Sequence, residues 1–331
     1  MGGNVRRREF IAGLSGAAVV VPLQGKAQEK RKPPIIGWLG GTTPEAGKRN
    51  LNALLRGLRE HGHEDGKDVS VVYRWAGGSA SPLPELANEI ISLNPAVIFA
   101  VINGAALACR KVTTSIPIVC PLLVDPVKTG LAESYNRPSR NVTGVLQTVD
   151  TLPAKQVELL LKVSPRATAI GVLFNPESPT APILFSGVEA AVRGTTLRIV
   201  RVEARRPDDI SVAFDEMKKG GVNCLIVLQD PMFFAEDARI NALAEAARLP
   251  TMHGFRQNVE RGGLMSYGVD IPQNFRRAAY FVDRILKGVP PGDLPIELPA
   301  KLELVINSKT AKAIGLVIPS NLLFTADEII E

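Results

Sequence analysis

The chain is poor in side chains that carry covalent chemistry. Its 331 residues hold three histidines and three cysteines, and the histidines do not recur at a common zinc spacing. His61 and His63 sit in "EHGHED" beside Glu60, Glu64 and Asp65. Gly62 marks that stretch as a helix end, so it reads as a turn, and neither metal nor cofactor is expected. "GWLGGTTP" lacks the spaced glycines of a dinucleotide site, and no phosphate loop ending in Gly-Lys-Ser/Thr occurs. A Gly-x-Ser-x-Gly nucleophile turn is also missing. Cys109, Cys120 and Cys224 stand in apolar or helical contexts and read as small buried hydrophobes, with a Cys109–Cys120 bridge left open.

Excess charge is scarce too. The net charge is +6, and the first 27 residues hold +3 of it. The rest is scattered, without the basic and aromatic interleaving of a nucleic-acid surface, so no nucleic-acid partner is expected. A composition of 45% apolar and 22% charged residues is that of a globular protein. The N-terminal apolar stretch, "FIAGLSGAAVVVPL", is shorter than the roughly 20 residues that span a membrane. It follows "RRREF" and precedes Gly25-Lys26-Ala27, the order of a cleavable signal over residues 1–27. Arg7-Arg8-Glu9-Phe10-Ile11 fits a twin-arginine pattern. No cysteine follows the cleavage site to take a lipid. The mature protein is expected free in the periplasm.

What the chain has is alternation. "IIGWLGG", "VSVVYRWA", "AVIFAVI", "IPIVCPLLV" and "NVTGVLQT" read as strands separated by helical segments. In the first helix Leu51, Leu54, Leu55 and Leu58 recur at i, i+3, i+4, i+7. Thr42 or Thr43 can cap it, with Pro44 in the first turn. A second series of similar size starts near Asp150 with "AIGVLFNP", "LRIVRVEA", "VNCLIVLQDP" and "PTMHG" as strands. Such alternation implies parallel sheets covered by helices on both faces. The expected fold is α/β: two doubly wound parallel-sheet lobes joined by a hinge that the chain crosses several times. The expected boundaries are 33–145 plus 264–296 for lobe 1, and 146–263 plus 297–331 for lobe 2.

Three apolar strands end in an acid or its amide followed by proline: Asp125-Pro126, Asn175-Pro176 and Asp230-Pro231. In open parallel sheets ligands bind beyond the carboxyl ends of the strands. Proline stops the strand, and the amides after it can start a helix that receives an anion. Asp125, Asn175 and Asp230 are therefore expected at an interlobe cleft, although each residue alone could simply cap a helix or shape a turn. The turns at Thr42-Thr43 and Asn103-Gly104 are expected to hold a carboxylate there, and Asp230, or else Asp125, an ammonium group. Tyr267 or Phe174 is expected to cover a side chain, with His253 as a lining residue.

The chain resembles, over essentially its whole length, the ABC-transporter solute-binding proteins of the tryptophan/tyrosine type. The residues that carry the resemblance include "YRWA" (73–76), "TSIPIV" (114–119), "DPVKTGL" (125–131), "NRPSRNVTGV" (136–145), "GGLMSYG" (262–268), "RILKG" (284–288), "DLPIELPAKLELVINSKTAKAIGL" (293–316) and "ADEIIE" (326–331). It implies a type I periplasmic binding fold with three crossings, a small-molecule solute in the cleft, and delivery to an ABC permease in the inner membrane. The expected protein is a monomer and not an enzyme. Gly77-Gly78 stand where the family usually has an acid, and Asn103-Gly104 replace a threonine- or glycine-rich turn. An extracytoplasmic α/β hydrolase working through Asp125 or Asp230, and a sensory receptor domain, remain the alternatives.

Overall fold

The structure, a computed structural model, describes residues 32–331. The signal expected at 1–27 lies outside them. The first series folds as β1 (Ile35–Gly40), α1 (Pro44–Glu60), β2 (Ser70–Trp75), α2 (Leu83–Ser92), β3 (Val97–Ala100), α3 (Asn103–Val112), β4 (Ile118–Leu123) and β5 (Val142–Leu146). Its five strands are parallel, in the order β2-β1-β3-β4-β5. β3 and β4 are buried along their whole length, which is why they read as continuous apolar runs.

The second series runs α4 (Leu152–Val163), β6 (Ala169–Phe174), α5 (Ala181–Val192), β7 (Arg198–Glu203), α6 (Asp209–Lys219), β8 (Cys224–Val227), α7 (Pro231–Ala235), α8 (Asp237–Ala246), β9 (Thr251–His253), α9 (Arg256–Glu260) and β10 (Met265–Val269). After α10 (Ile271–Leu286) come β11 (Leu302–Asn307), α11 (Ser308–Ala313), α12 (Ser320–Thr325) and β12 (Glu328–Ile330). The second sheet has seven strands in the order β12-β11-β10-β9-β8-β6-β7, with β10 and β11 antiparallel.

β10 corrects the expected lobe boundary at 264. It pairs with β9 through Met265–Met252 and Ser266–His253 and belongs to the second sheet. The chain returns to the first lobe only at Asp270, before α10. Alternation along the sequence shows that a strand exists, not which sheet receives it. α10 then packs on the first lobe, where Phe275 lies 5.8 Å from Trp38 and 5.7 Å from Phe99, ring centre to ring centre. Gly57 of α1 allows that approach: a Cβ there would lie 2.5 Å from the Arg276 carbonyl oxygen.

The described chain thus crosses between lobes at 147–151, at Asp270 and at 296–301. The last crossing is tied to β5, with Leu146 N–H donating to Glu297 O at 2.8 Å and Glu297 N–H to Gly144 O at 3.0 Å. In the first lobe, α1 and α10 cover one face of the sheet and α2 and α3 the other. All three cysteines are buried and free, and burial pushes each thiol up to about 12.

Candidate functional site

In both sheets the strand order reverses beside the first strand of the series, between β1 and β3 and between β6 and β8. The loops after these four strands face one another across a cleft of about 700 Å³, open mouth included. Gly41-Thr42 follow β1, Ile102-Asn103-Gly104 follow β3, Ser178-Pro179-Thr180 follow β6, and Gln229-Asp230-Pro231 follow β8. This is where open α/β sheets hold ligands, and the size suits a small molecule.

Of the expected residues, Thr42, Asn103, Gly104 and Asp230 line this cleft. Thr42 Oγ1 is buried without a partner. Thr43 turns away and caps α1, accepting from Ala46 N–H at 3.3 Å. The Asn103 side chain is engaged: Nδ2 donates to Val124 O at 2.7 Å and Oδ1 accepts from Val124 N–H at 2.8 Å. It locks the start of α3 to the end of β4, and what it offers the cleft is backbone. No side chain caps α3, whose first bond runs from Ala106 N–H to Ile102 O. The amides of Asn103, Gly104 and Ala105 have no acceptor among the described residues. At the positive end of a ten-residue helix they suit a carboxylate.

Asp230 is the one ionisable side chain among the described residues that line the cleft. Its Oδ1 accepts from Met232 N–H at 2.9 Å and its Oδ2 from Asn175 Nδ2 at 3.3 Å. Burial pushes its carboxyl up to about 6, against the lowering effect of the Met232 and Asn175 bonds. A cationic ligand group would relieve that penalty. Asn175 lies behind Asp230, its own Oδ1 accepting from Glu177 N–H at 3.0 Å. It positions the carboxylate and does not line the main cleft.

Three expected residues lie elsewhere. Asp125, at φ +35°, accepts from Lys128 N–H at 3.0 Å and pairs with Lys128 Nζ at 2.9 Å. It follows β4, away from the point where strand order reverses, and shapes a turn. Tyr267 packs on the second-lobe core, and its carbonyl accepts from Gln156 Nε2 at 2.8 Å. Phe174 packs on Phe185 with ring centres 5.1 Å apart. The aromatic lining comes instead from Phe234 and Phe255, 6.2 Å apart and edge to face. His253 is buried behind the cleft, where desolvation lowers its pKa to about 3, and its Nε2 has no partner. His63 bonds Asp283 at 2.9 Å, and no group of metal-binding side chains occurs among the described residues.

Sequence reasoning did not find Asn50, Gln147 or Phe255. Asn50 projects from the buried face of α1, and Gln147 follows β5 at the first crossing. None carries a turn signal.

Two lobes of this strand order closing on one another define the type I periplasmic binding fold. A conserved domain protein from Vibrio cholerae O1 biovar eltor shares it with a TM-score of 0.84 and 27% identity, over 90% of this chain and 100% of that one. The ABC domain in complex with L-Trp from Streptococcus pneumonia also superposes with a TM-score of 0.84, at 21% identity, over 90% and 100% of the two chains. The sequence pattern described as ABC transporter substrate binding protein matches residues 45–330, and the chain belongs to that family. It is a substrate-binding protein, not an enzyme, which sets the hydrolase alternative aside. A tyrosine-binding protein of Clostridioides difficile is 24% identical over 294 residues, 88% of this chain and 84% of the relative.

Proposed function

We propose that this protein captures an amino acid with an apolar or aromatic side chain in its interlobe cleft and delivers it, as a monomer in the periplasm, to an ABC permease. The observation that carries this reading is the pairing of one buried carboxylate, Asp230 on the second lobe, with the uncapped start of α3 on the first. A zwitterion satisfies both: its ammonium donates to Asp230 and its carboxylate accepts from the amides at 103–105. Val101, Leu122, Val124 and Ile271 give the remaining wall an apolar character that suits the side chain. The tyrosine and tryptophan named for the two relatives belong to the same class. Ligand groups split between lobes would also favour the closed arrangement.

A thermal-shift screen tests this, since a ligand that binds only the folded state raises the melting temperature. Apolar and aromatic amino acids should raise it, while sugars and simple amines should not. A screen in which no amino acid shifts the transition would sink the proposal.

A further inference from the structure

Two of the groups that meet the cleft belong to α7: Asp230 caps its start and Phe234 stands in its last turn. The helix has only five residues. A helix so short does not hold its own shape in water, so its ends must be fixed from outside. Asp230 fixes the first end through Met232 N–H. At the other end packing is incomplete. A smaller hollow adjoins the cleft, lined by Phe233, Phe234, His253, Gly254 and Phe255, and it leaves the Phe234 ring room to shift.

Arg261 closes that end. Its Nη1 donates to the carbonyl oxygen of Phe234 at 3.3 Å and to both carboxylate oxygens of Asp237 at 3.1 Å. Its guanidinium carbon lies over the Phe234 ring, 5.6 Å from the centre, where a cation is attracted by the aromatic face. The support behind it is buried. Asp237 is held by Asn258 Nδ2 at 3.3 Å, and Asn241 Nδ2 donates to Asn258 O at 2.9 Å and to Arg261 O at 3.1 Å. Stability alone would need only the pair with Asp237. The contacts to Phe234 carry the clamp to the cleft wall, although Arg261 itself does not line the cleft. We propose that Arg261 is a positioning residue, which sets the place of Phe234 by gripping the far end of α7. This goes beyond the reading above: it rests on the cleft as the ligand site, whether or not the ligand is an amino acid.

Hydrogen exchange in the ligand-free protein tests the assignment. The amides of Phe234 and Glu236 bond Asp230 O and Met232 O within α7. Arg261→Met should speed their exchange at least about tenfold and leave the amides of β6 and β8 at wild-type rates. That variant strands the buried Asp237 carboxylate, a change that can prevent folding. Arg261→Met with Asp237→Asn removes both charges and should give the same local effect. Calorimetry with tyrosine as the probe supplies a second readout. The charge-free variant should bind it at least about fivefold more weakly than wild type. With Phe234→Ala already in place, the same change should cost less than about twofold, because both act through one ring. Unchanged exchange in α7, equal acceleration across the second lobe, or losses of affinity that simply add would overturn the positioning role and leave the amino-acid reading standing. Failure of every amino acid to bind the wild type would overturn that reading instead, and exchange alone would then decide the role of Arg261.

Discussion

The Arg49 guanidinium of the first lobe meets the Glu260 carboxylate of the second, with Nη1 2.8 Å from Oε2 and 2.9 Å from Oε1. Arg49 is half exposed and Glu260 one-third exposed, so water and salt weaken the pair. Glu260→Gln should raise the ligand dissociation constant by no more than about fivefold at low salt, corresponding to about 1 kcal/mol or less, and by nothing measurable at high salt. Calorimetry at the two ionic strengths checks this. Glu260 also meets Arg256 Nη1 at 3.4 Å, so a loss that persists in high salt would assign the effect to that more buried pair and not to Arg49.

Asp230 gives binding a pH dependence. Its carboxyl, raised to about 6 by burial, must be ionised to hold an ammonium group. Affinity should therefore be level above pH 6 and fall about tenfold per unit below it. In the free protein the sign reverses. Since the folded form holds its proton to higher pH than the unfolded chain, stability declines as pH rises from about 4 through 6. Asp230→Asn should not lower the ligand-free melting temperature at neutral pH, yet should weaken binding ten- to a hundredfold and flatten its pH profile. Near-wild-type affinity in this variant would mean that Asp230 only caps α7.

His253 titrates in the opposite sense. Its folded pKa is depressed to about 3, so its contribution is full above about 6.5 and is lost as pH falls towards 3. His253→Leu removes the need to charge a buried ring. The variant should keep a larger share of its neutral-pH stability at pH 4 than the wild type does, as read by urea unfolding at both values. An unchanged ratio would place the acid sensitivity elsewhere.

A glycine of the first lobe lies against a proline of the second. A Cβ on Gly41 would lie 2.7 Å from Ile102 Cδ1 and 3.0 Å from Pro231 Cγ, the latter across the cleft. Gly41→Val should hinder the approach of the lobes. Small-angle scattering with saturating ligand should show a radius of gyration larger than that of liganded wild type, and affinity should fall at least about tenfold. Identical scattering would show that Pro231 yields.

Export is tested at the N-terminus. Replacing Arg7 and Arg8 together by lysine should leave uncleaved precursor in the cytoplasm if the twin-arginine reading holds. Fractionation followed by blotting decides it, and normal export of the double variant would exclude that route.

Much of the fold was legible because strand and helix periods survive in the sequence. The Leu51–Leu58 stripe and the apolar run of β3 each announced their element. The lobe that β10 joins was not legible, because pairing is settled by β9 and β11 rather than by β10 itself. At the site, Asp125-Pro126 and Asp230-Pro231 looked alike in sequence. They differ in the place of their strands: β8 borders the reversal of strand order and β4 does not. Asn50 and Phe255 escaped notice because a residue on a helix face or in a short loop reaches the cleft only through tertiary packing.

The position of α10 has a consequence for synthesis. Its Phe275 and Phe281 complete the aromatic core of the first lobe, yet they follow five of the second lobe's seven strands. A chain emerging from the ribosome can pair β6 to β10 from contiguous residues, while the wall around Trp38 and Phe99 stays uncovered until residue 286 has been made. The half of the protein that is translated first therefore cannot close its core until most of the other half has been made, and each lobe waits for residues beyond the other's strands.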